Sequence, residues 1–410
     1  MELRFSEALM DLRGSATREI WSKAKKPGMI SLGGGSPARE SLPMKQLEEI
    51  AAEIFSDYTL MSRGYNYAST EGFDELRGQV LELAKTFGIE IPGLGLSNVM
   101  ITTGGGQAID LALRTFVNRG DSILVENPTY LGFLQVAQSY GAKLTGVEAG
   151  DNGLILADLE EKMIRHKPKL LYVVPTFSNP TGKTYTRENR AAIVELAKKY
   201  NVIIIEDDPY SRLRISGSAV PPLKNFDREN DCVIYISSFS KVISPGIRLG
   251  YAIGREEIIR KMTIAKQGAD LSSSNISQLL VLRYLEKGLY YPVVERAIPV
   301  YRERKNAMIN AIGKYFPEEF SHTDPDGGLF IWGAFKTPID TAAMFDEAIN
   351  RNVAYVQGQT FYADGSGINT IRLNFSNENP ETIERAIKIL GELSKETIAA
   401  FHEKKMPAAS

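Results

Sequence analysis

The sequence VIYISSFSK, residues 233–241, says more about the architecture of this chain than any other stretch. Its first half is a short run of β-branched and aromatic residues, which is typical of a buried strand, and its second half is polar and ends in Lys241. We therefore expect a strand over Val233–Ser237 that carries Lys241 to the edge of a sheet.

Similar short apolar runs recur on both sides of this stretch. Six further strand candidates are Val99–Thr103, Ser122–Val125, Lys143–Val147, Leu170–Val174, Val202–Glu206 and Leu249–Ile253. Several intervening segments have the periodicity of helices, including QAIDLALRTFVNRGD at 107–121 and RENRAAIVELAKKYN at 187–201. Alternation of strands and helices predicts an α/β fold with a mostly parallel sheet that is covered on both faces.

Polar or glycine-rich loops follow five of the predicted strands. In sheets of this kind, ligands bind outside the carboxyl ends of the strands, so these loops should line a shared pocket. They read GGGQ at 104–107, ENPTY at 126–130, PTFSNPTG at 175–182, DDPY at 207–210 and SFSK at 238–241.

The triple glycine at 104–106 opens a predicted helix, where backbone N–H groups can approach an anion such as phosphate. A tight turn without a ligand explains an isolated glycine triplet about equally well. A dinucleotide fingerprint is disfavoured because it would need Gly or Ala where Ile109 stands. A P-loop ending at Gly182 is excluded because Phe177 replaces the required glycine.

Two carboxylates, Asp207 and Asp208, come at the end of the buried run Val202–Glu206. A carboxylate at that position needs a cationic partner. A metal site and an acid–base pair are both conceivable, but no other oxygen ligands lie nearby in sequence, so a cofactor cation is the better expectation.

Lys241 stands near Ser238, Ser240 and Arg248. An amine that is partly desolvated beside another cation can lose its proton and attack a carbonyl, while the hydroxyls and the guanidinium can bind an anion. From these residues alone, a solvated surface lysine is as plausible as a Schiff-base lysine.

The composition excludes several other classes of function. Lys and Arg total 48 against 50 Asp and Glu, and a formal charge of −2 does not indicate a nucleic-acid or membrane partner. Cys232 is the single cysteine, and three histidines at unrelated spacings do not suggest a metal site, so we expect no metal. The first twenty residues lack the apolar core of a secretory signal, and we expect a cytoplasmic protein.

Nine motifs, in this order along the chain, resemble those of the fold-type I enzymes that depend on pyridoxal 5′-phosphate (PLP), within the aminotransferase group that includes kynurenine and 2-aminoadipate aminotransferases. The resemblance runs from about Arg18 to Asn377. The motifs are SLGGGSP, YNYASTEG, TTGGGQ, ENPTY, SNPTG, EDDPY, SSFSK, PGIRLGY and INTIRLNFS.

The resemblance implies roles for residues around the cofactor. Lys241 would hold PLP as a Schiff base and move a proton at the substrate α-carbon, and Asp207 would pair with the pyridinium nitrogen. Asn179 and Tyr210 would bind the phenolic oxygen, and Tyr130 would stack on the ring. The phosphate would be bound by Gly105, Gly106, Ser238, Ser240 and Arg248, with Tyr67 reaching it from a neighbouring subunit, which implies a homodimer.

The resemblance also implies a substrate site. Arg372 would take the α-carboxylate, beside Asn179, and Gly34 and Gly35 would lie on a flap over the substrate. Without the family resemblance, Arg372 would be interpreted as one partner of a salt bridge at the edge of a strand. Arg18 would bind the distal carboxylate of the substrate. That Arg18 is an ordinary solvated arginine on the surface of a helix is an equally good interpretation.

The resemblance finally implies a large PLP-binding domain at residues 47–289 with a mostly parallel central sheet. A smaller α+β domain would combine an N-terminal segment, residues 1–46, with residues 290–410. The expected activity is ping-pong transfer of the amino group of an aromatic, 2-aminoadipate-like or broader set of L-amino acids to a 2-oxo acid such as 2-oxoglutarate. The alternatives are a PLP lyase or decarboxylase of the same fold and, less expected, an effector-binding domain of a transcription regulator.

Overall fold

A computed structural model describes residues 1, 3–5, 10 and 26–405, so the predicted role of Arg18 lies outside the described residues. The strands are β1 (Ile30–Ser31), β2 (Val99–Thr102), β3 (Ser122–Asn127), β4 (Lys143–Glu148), β5 (Leu170–Val173), β6 (Ile203–Asp207), β7 (Val233–Ser238), β8 (Gly250–Ile253), β9 (Phe320–His322), β10 (Phe330–Phe335), β11 (Val353–Ala354), β12 (Val356–Gln357) and β13 (Thr370–Asn374). The α-helices are α1 (Met44–Ser56), α2 (Tyr58–Tyr65), α3 (Asp74–Thr86), α4 (Gly105–Phe116), α5 (Leu131–Ser139), α6 (Leu156–His166), α7 (Arg187–Tyr200), α8 (Glu256–Gln267), α9 (Asn275–Glu286), α10 (Tyr290–Tyr315), α11 (Thr341–Asn350) and α12 (Pro380–Lys405).

The seven predicted strands form one seven-stranded sheet in the order β2-β8-β7-β6-β5-β3-β4. Strands β4, β3, β5, β6 and β7 run parallel to one another, whereas β8 is antiparallel to both β7 and β2. The prediction of an α/β fold with a mostly parallel sheet is therefore confirmed.

The central strands are buried because helices cover both faces of the sheet. Every residue of β5 is buried, and so is every residue of β2, which lies at one edge of the sheet, and of its neighbour β8. Helix α7 illustrates how the sequence forms these layers. Its N-terminus is capped by the Thr186 side chain, it buries Ile193, Val194 and Ala197 on one face, and it ends at Asn201 in the left-handed conformation.

A second sheet lies further along the chain. Its strands have the order β12-β13-β10-β9, and the pairings are antiparallel. Strand β1 pairs in parallel with β11, which brings the chain near residue 30 beside this sheet. One hydrophobic core includes residues from the second sheet, α10, α11 and α12. The domain boundaries at residues 46 and 289 stay a prediction.

The chain turns at the carboxyl end of β7 in a way that places Lys241. The Ser238 hydroxyl accepts a hydrogen bond from the Ser240 amide and caps a single 3₁₀ turn, Phe239–Lys241. Because the turn follows the strand without a linker, Lys241 stays at the edge of the sheet. Among the described residues, no helix is long and apolar enough to cross a membrane.

Candidate active site

A cavity of about 430 Å³ opens where the loops after the parallel strands meet the second sheet. The sequence predicted that these loops share a pocket, and the structure brings them together. Residues that line the cavity include Gly35, Gly105, Gly106, Tyr130, Asn179, Asp207, Tyr210, Ser238, Ser240, Lys241, Arg248 and Arg372.

Lys241 projects into this cavity, where its Nζ donates a hydrogen bond of 2.7 Å to the carbonyl oxygen of Gly35. Burial, which is the largest cause, and the nearby positive charges of Arg372 and Arg248 together lower the pKa of Lys241 to about 8, against the opposing effect of Asp207. A substantial fraction of the amine is therefore neutral near pH 8, which is the form that attacks a carbonyl.

Asp207 is the last residue of β6 and is 7% exposed. Its Oδ2 accepts a hydrogen bond of 2.7 Å from the Tyr172 hydroxyl. Burial raises the pKa of Asp207 to about 7 because the charged form is poorly solvated there. A cation placed against this carboxylate would favour the charged form and lower that pKa. The next residue, Asp208, does not line the cavity and accepts hydrogen bonds from the Tyr235 hydroxyl and the Ser211 amide.

One end of the cavity is built to bind an anion. Helix α4 begins at Gly105, and among the described residues no carbonyl accepts a hydrogen bond from the amides of Gly105 and Gly106, whereas the next two amides donate to the Gly104 carbonyl. Gly104 has φ of +79°, and a Cβ there would lie 2.9 Å from a guanidinium nitrogen of Arg248, so only glycine fits without displacing that arginine. Ser238 and Ser240 supply hydroxyl groups at the same end.

Three side chains along the wall of the cavity suit a flat ring. Tyr130 lies directly before α5 and Tyr210 follows β6. Tyr210 packs edge-on against Phe330, with ring centroids 5.8 Å apart, and Asn179 lines the same cavity. Burial raises the pKa of both tyrosines, so both hydroxyls are protonated near neutral pH.

Arg372 comes from the middle of β13 and is 3% exposed. Its Nη1 donates to Asn179 Oδ1 at 2.7 Å and its Nη2 donates to the Gly33 carbonyl at 2.6 Å. Its Nε is also buried, and none of the described residues accepts a hydrogen bond from it. Burial lowers the pKa of Arg372 to about 10, so the group is still a cation near neutral pH. A buried cation without a carboxylate partner can bind an incoming carboxylate.

Of the remaining residues that the sequence predicted to lie at the site, one lines the cavity and two do not. Gly35 lines it, and a Cβ at this position would lie 3.2 Å from Phe330. Gly34 is adjacent in sequence but is not among the lining residues. Tyr67 is 85% exposed and also lies outside the cavity of this chain.

Several residues of the site were missed from the sequence. Tyr172, the partner of Asp207, had a detectable signal, since a hydroxyl within the buried run Leu170–Val174 must find a hydrogen-bond partner. Other missed residues had no such signal because only the fold brings them to the cavity. These are Ile109, Leu131, Gly132, Gln135, Val174 and Phe330, whereas Ser36, Pro209 and Pro245 lie in motifs that the sequence singled out but were given no role.

This arrangement can bind a flat ligand with an anionic group at one end, a carbonyl within reach of an amine, and a basic nitrogen that pairs with a carboxylate. The separate cation, Arg372, leaves room for a second ligand that carries a carboxylate. Among the described residues, no three His, Cys, Asp or Glu side chains are grouped so that they could hold a metal ion.

Comparison with protein families matches residues 27–390 to the model for aminotransferase class I and II. Among curated proteins, the aromatic-amino-acid aminotransferase 1 of Thermococcus litoralis is 37% identical, over 96% of this chain and 95% of that relative. The 2-aminoadipate transaminase of Thermus thermophilus is 34% identical, over 96% of this chain and 97% of that relative.

Comparison with solved structures agrees. The kynurenine aminotransferase of Pyrococcus horikoshii, crystallised with PMP, KYN and KYA, superposes with a TM-score of 0.90. It is 38% identical, and the match covers 96% of this chain and 97% of that chain.

Proposed function

Because this chain belongs to the class I and II aminotransferase family and is a PLP-dependent aminotransferase, we propose that it moves the amino group of an aromatic or 2-aminoadipate-like L-amino acid to 2-oxoglutarate. The observation that carries this proposal is the cavity that contains both Lys241 and Arg372, with an amine for the chemistry and a buried cation for the substrate carboxylate.

The residues that line the cavity fit PLP. The first turn of α4 and the hydroxyls of Ser238 and Ser240 suit its phosphate, and the buried carboxylate of Asp207 suits its ring nitrogen. The unpartnered Nε of Arg372 supports a second, carboxylate-bearing ligand in the same space. When bound, PLP supplies an aldehyde that condenses with amines and a ring that takes up the electron pair released at the substrate α-carbon.

In this proposal Lys241 has two tasks. It would hold the cofactor covalently, and as a free amine it would move a proton at the substrate α-carbon. Both tasks need a neutral amine, and burial together with the charges of Arg372 and Arg248 lowers the pKa of Lys241 enough to provide it near neutral pH.

The other side chains hold the ring in place. Asp207, fixed by the Tyr172 hydroxyl, would keep a proton on the ring nitrogen, which allows the ring to accept electrons. Asn179 and Tyr210 would bind the phenolic oxygen, and Tyr130 would stack on the ring. The phosphate would be bound by Gly105, Gly106, Ser238, Ser240 and Arg248.

The phosphate end of the cavity also supports a homodimer. Gly106 and Arg248 are exposed in the single chain, and Tyr67 is 85% exposed. A second subunit that covered this end would exclude water from the phosphate and could contribute its own Tyr67. A cytoplasmic location stays a prediction from the sequence.

The choice of substrates is supported by the cavity and by the relatives. Phe330, Leu131 and Tyr130 line it and offer apolar contact to an aromatic side chain. Relatives at 34% and 37% identity are named for 2-aminoadipate and for aromatic amino acids. The flap residues Gly34 and Gly35 would close over the substrate, and Arg18 would bind a distal carboxylate such as that of 2-oxoglutarate.

A panel of amino donors tests the proposed activity. Purified holoenzyme is mixed with phenylalanine, tyrosine, 2-aminoadipate, glutamate or alanine, and conversion of the cofactor to its amine form is followed by absorbance. We expect the aromatic donors and 2-aminoadipate to convert it, and 2-oxoglutarate to restore the aldehyde form. Initial rates that do not depend on 2-oxoglutarate would refute this proposal and favour a lyase or decarboxylase.

The role of Arg372 is tested by Arg372→Lys. A lysine cannot span a carboxylate with two parallel hydrogen bonds, so we expect kcat/KM for the amino donor to fall by about 10²-fold. Arg212→Lys is the matched control because Arg212 packs over Phe87, outside the cavity. Equal kcat/KM values in the two variants would show that Arg372 does not bind the substrate.

A further inference from the structure

Glu126, near the end of β3, is a buried acid that the proposed mechanism does not use. It is 2% exposed, and its hydrogen-bond partners are all neutral groups. Burial raises the pKa of Glu126 to about 8, against the opposing effect of its hydrogen bonds, so the carboxyl group is largely protonated at pH 7. Burying a carboxyl group is costly unless it is hydrogen-bonded, and Glu126 meets this need through three contacts with the surrounding chain.

The two oxygens of Glu126 contact different parts of the chain. Oε1 accepts hydrogen bonds of 3.1 Å from the Val174 amide, after β5, and of 3.1 Å from the Ser178 hydroxyl. Oε2 lies 2.5 Å from the Tyr185 hydroxyl, on the far side of the same loop. The carboxyl group therefore ties the ends of β3 and β5 to the loop that follows β5.

Ser178 is the first residue of a closed turn that carries Asn179. The Ser178 amide donates to the Lys183 carbonyl at 2.9 Å, and the Gly182 amide donates to the Ser178 carbonyl at 2.6 Å. Asn179 projects from this turn, and its Oδ1 accepts the 2.7 Å hydrogen bond from Arg372. A chain of direct hydrogen bonds and one peptide link therefore connects Glu126 to the guanidinium.

We propose that Glu126 is a positioning residue for substrate binding, because its Oε1 anchors the Ser178 hydroxyl and so fixes the turn through which Asn179 orients Arg372. The proposal rests on the carboxylate-binding role of Arg372 given above. It concerns binding of the carboxylate, so its effect is measured with a ligand that cannot react.

The probe is 3-phenylpropanoate, which has the carboxylate and ring of phenylalanine but no amino group. Its Kd for the holoenzyme is measured from the change in cofactor absorbance. For Glu126→Ala and for Ser178→Ala, each of which removes one side of the anchoring hydrogen bond, we expect Kd to rise about fivefold to tenfold. The double variant should be no worse than Glu126→Ala alone, because both changes break the same link.

Two further variants separate positioning from general stability. Glu126→Gln keeps an acceptor for Ser178 and replaces a neutral acid with a neutral amide, so Kd should stay within about twofold of wild type. Tyr185→Phe removes only the partner of Oε2; it should lower the melting temperature but leave Kd unchanged.

Three outcomes would overturn the proposal. One is an unchanged Kd in Ser178→Ala, which decides the matter even if Glu126→Ala does not fold. Another is a Kd that rises equally in Tyr185→Phe, because a purely structural role predicts that Kd follows stability. The third is a Kd raised as much in Glu126→Gln as in Glu126→Ala.

Measuring the Kd of Arg372→Lys distinguishes failure of this proposal from failure of the proposed role of Arg372. An unchanged Kd in Arg372→Lys means that Arg372 does not bind the carboxylate. A raised Kd in Arg372→Lys together with normal binding in Ser178→Ala means that only the role of Glu126 has failed.

Discussion

Replacing Lys241 with alanine is expected to lower kcat by at least about 10³-fold, since the variant loses both the covalent attachment and the group that moves the α-proton. The phosphate-binding residues and Asp207 remain, so the variant should still take up PLP without a covalent bond. The measurement is turnover of phenylalanine with 2-oxoglutarate, alongside the PLP content after gel filtration.

Lys183→Ala is the control for this experiment. Lys183 lies on another loop at the edge of the sheet, where it pairs with Asp151 at 2.8 Å, and it does not line the cavity. We expect near-normal turnover in the control. Turnover at the wild-type rate in Lys241→Ala would end the proposed mechanism.

Replacing Asp207 with asparagine should have the second-largest effect. An amide has nearly the same shape as the carboxylate but cannot hold a positive charge on the ring nitrogen. We expect kcat to fall by about 10³-fold, equivalent to about 4 kcal/mol of lost transition-state stabilisation. The spectrum of bound PLP should also change, because the ring nitrogen loses its charged partner.

Asp208→Asn is a closely matched control for Asp207→Asn. The two residues are adjacent and both are buried, at 7% and 2% exposure, but only Asp207 lines the cavity. The side-chain oxygen of asparagine at 208 still accepts a hydrogen bond from the Ser211 amide, and its NH₂ group can donate one to the Tyr235 hydroxyl. If both variants lost activity to the same extent, the loss would reflect disturbance of β6 and not a role of Asp207 at the ring.

The sequence predicted the central sheet well because each strand carries its own local signal. The run Val233–Ser237 is apolar and β-branched, and the structure has β7 at Val233–Ser238. The boundaries differ by a residue or two where the strand continues into polar residues. Asp207 was expected after the strand but belongs to β6, where it is in register with Ile236 of β7, and the Asp208 amide donates to the Ile236 carbonyl.

Contacts between distant segments could not be read from the sequence. The two-residue pairing of β1 with β11 joins residues more than 300 positions apart, and neither strand is long enough to have a pattern of its own. The same holds for the carbonyls of Gly33 and Gly35, which accept hydrogen bonds from Arg372 and Lys241. The family resemblance pointed to Gly34 and Gly35 as flap residues but not to Gly33, and which backbone atoms meet depends on the folded chain.

Buried polar residues that contact the site residues are a third kind of feature, which the sequence predicted only in part. Tyr172 and Glu126 lie within or beside predicted strands, and each is a polar group at a position that must be buried. The sequence implies that each needs a partner but does not name it. In the structure Tyr172 contacts Asp207, which is predicted to bind the cofactor, and Glu126 contacts Ser178, the neighbour of Asn179.

The most direct test of the mechanism is to reduce the holoenzyme with borohydride, digest it and locate the pyridoxyl group by mass spectrometry. A single labelled peptide is expected, with the label on Lys241. A label on another lysine, or no label in a protein that has been supplied with PLP, would contradict the mechanism.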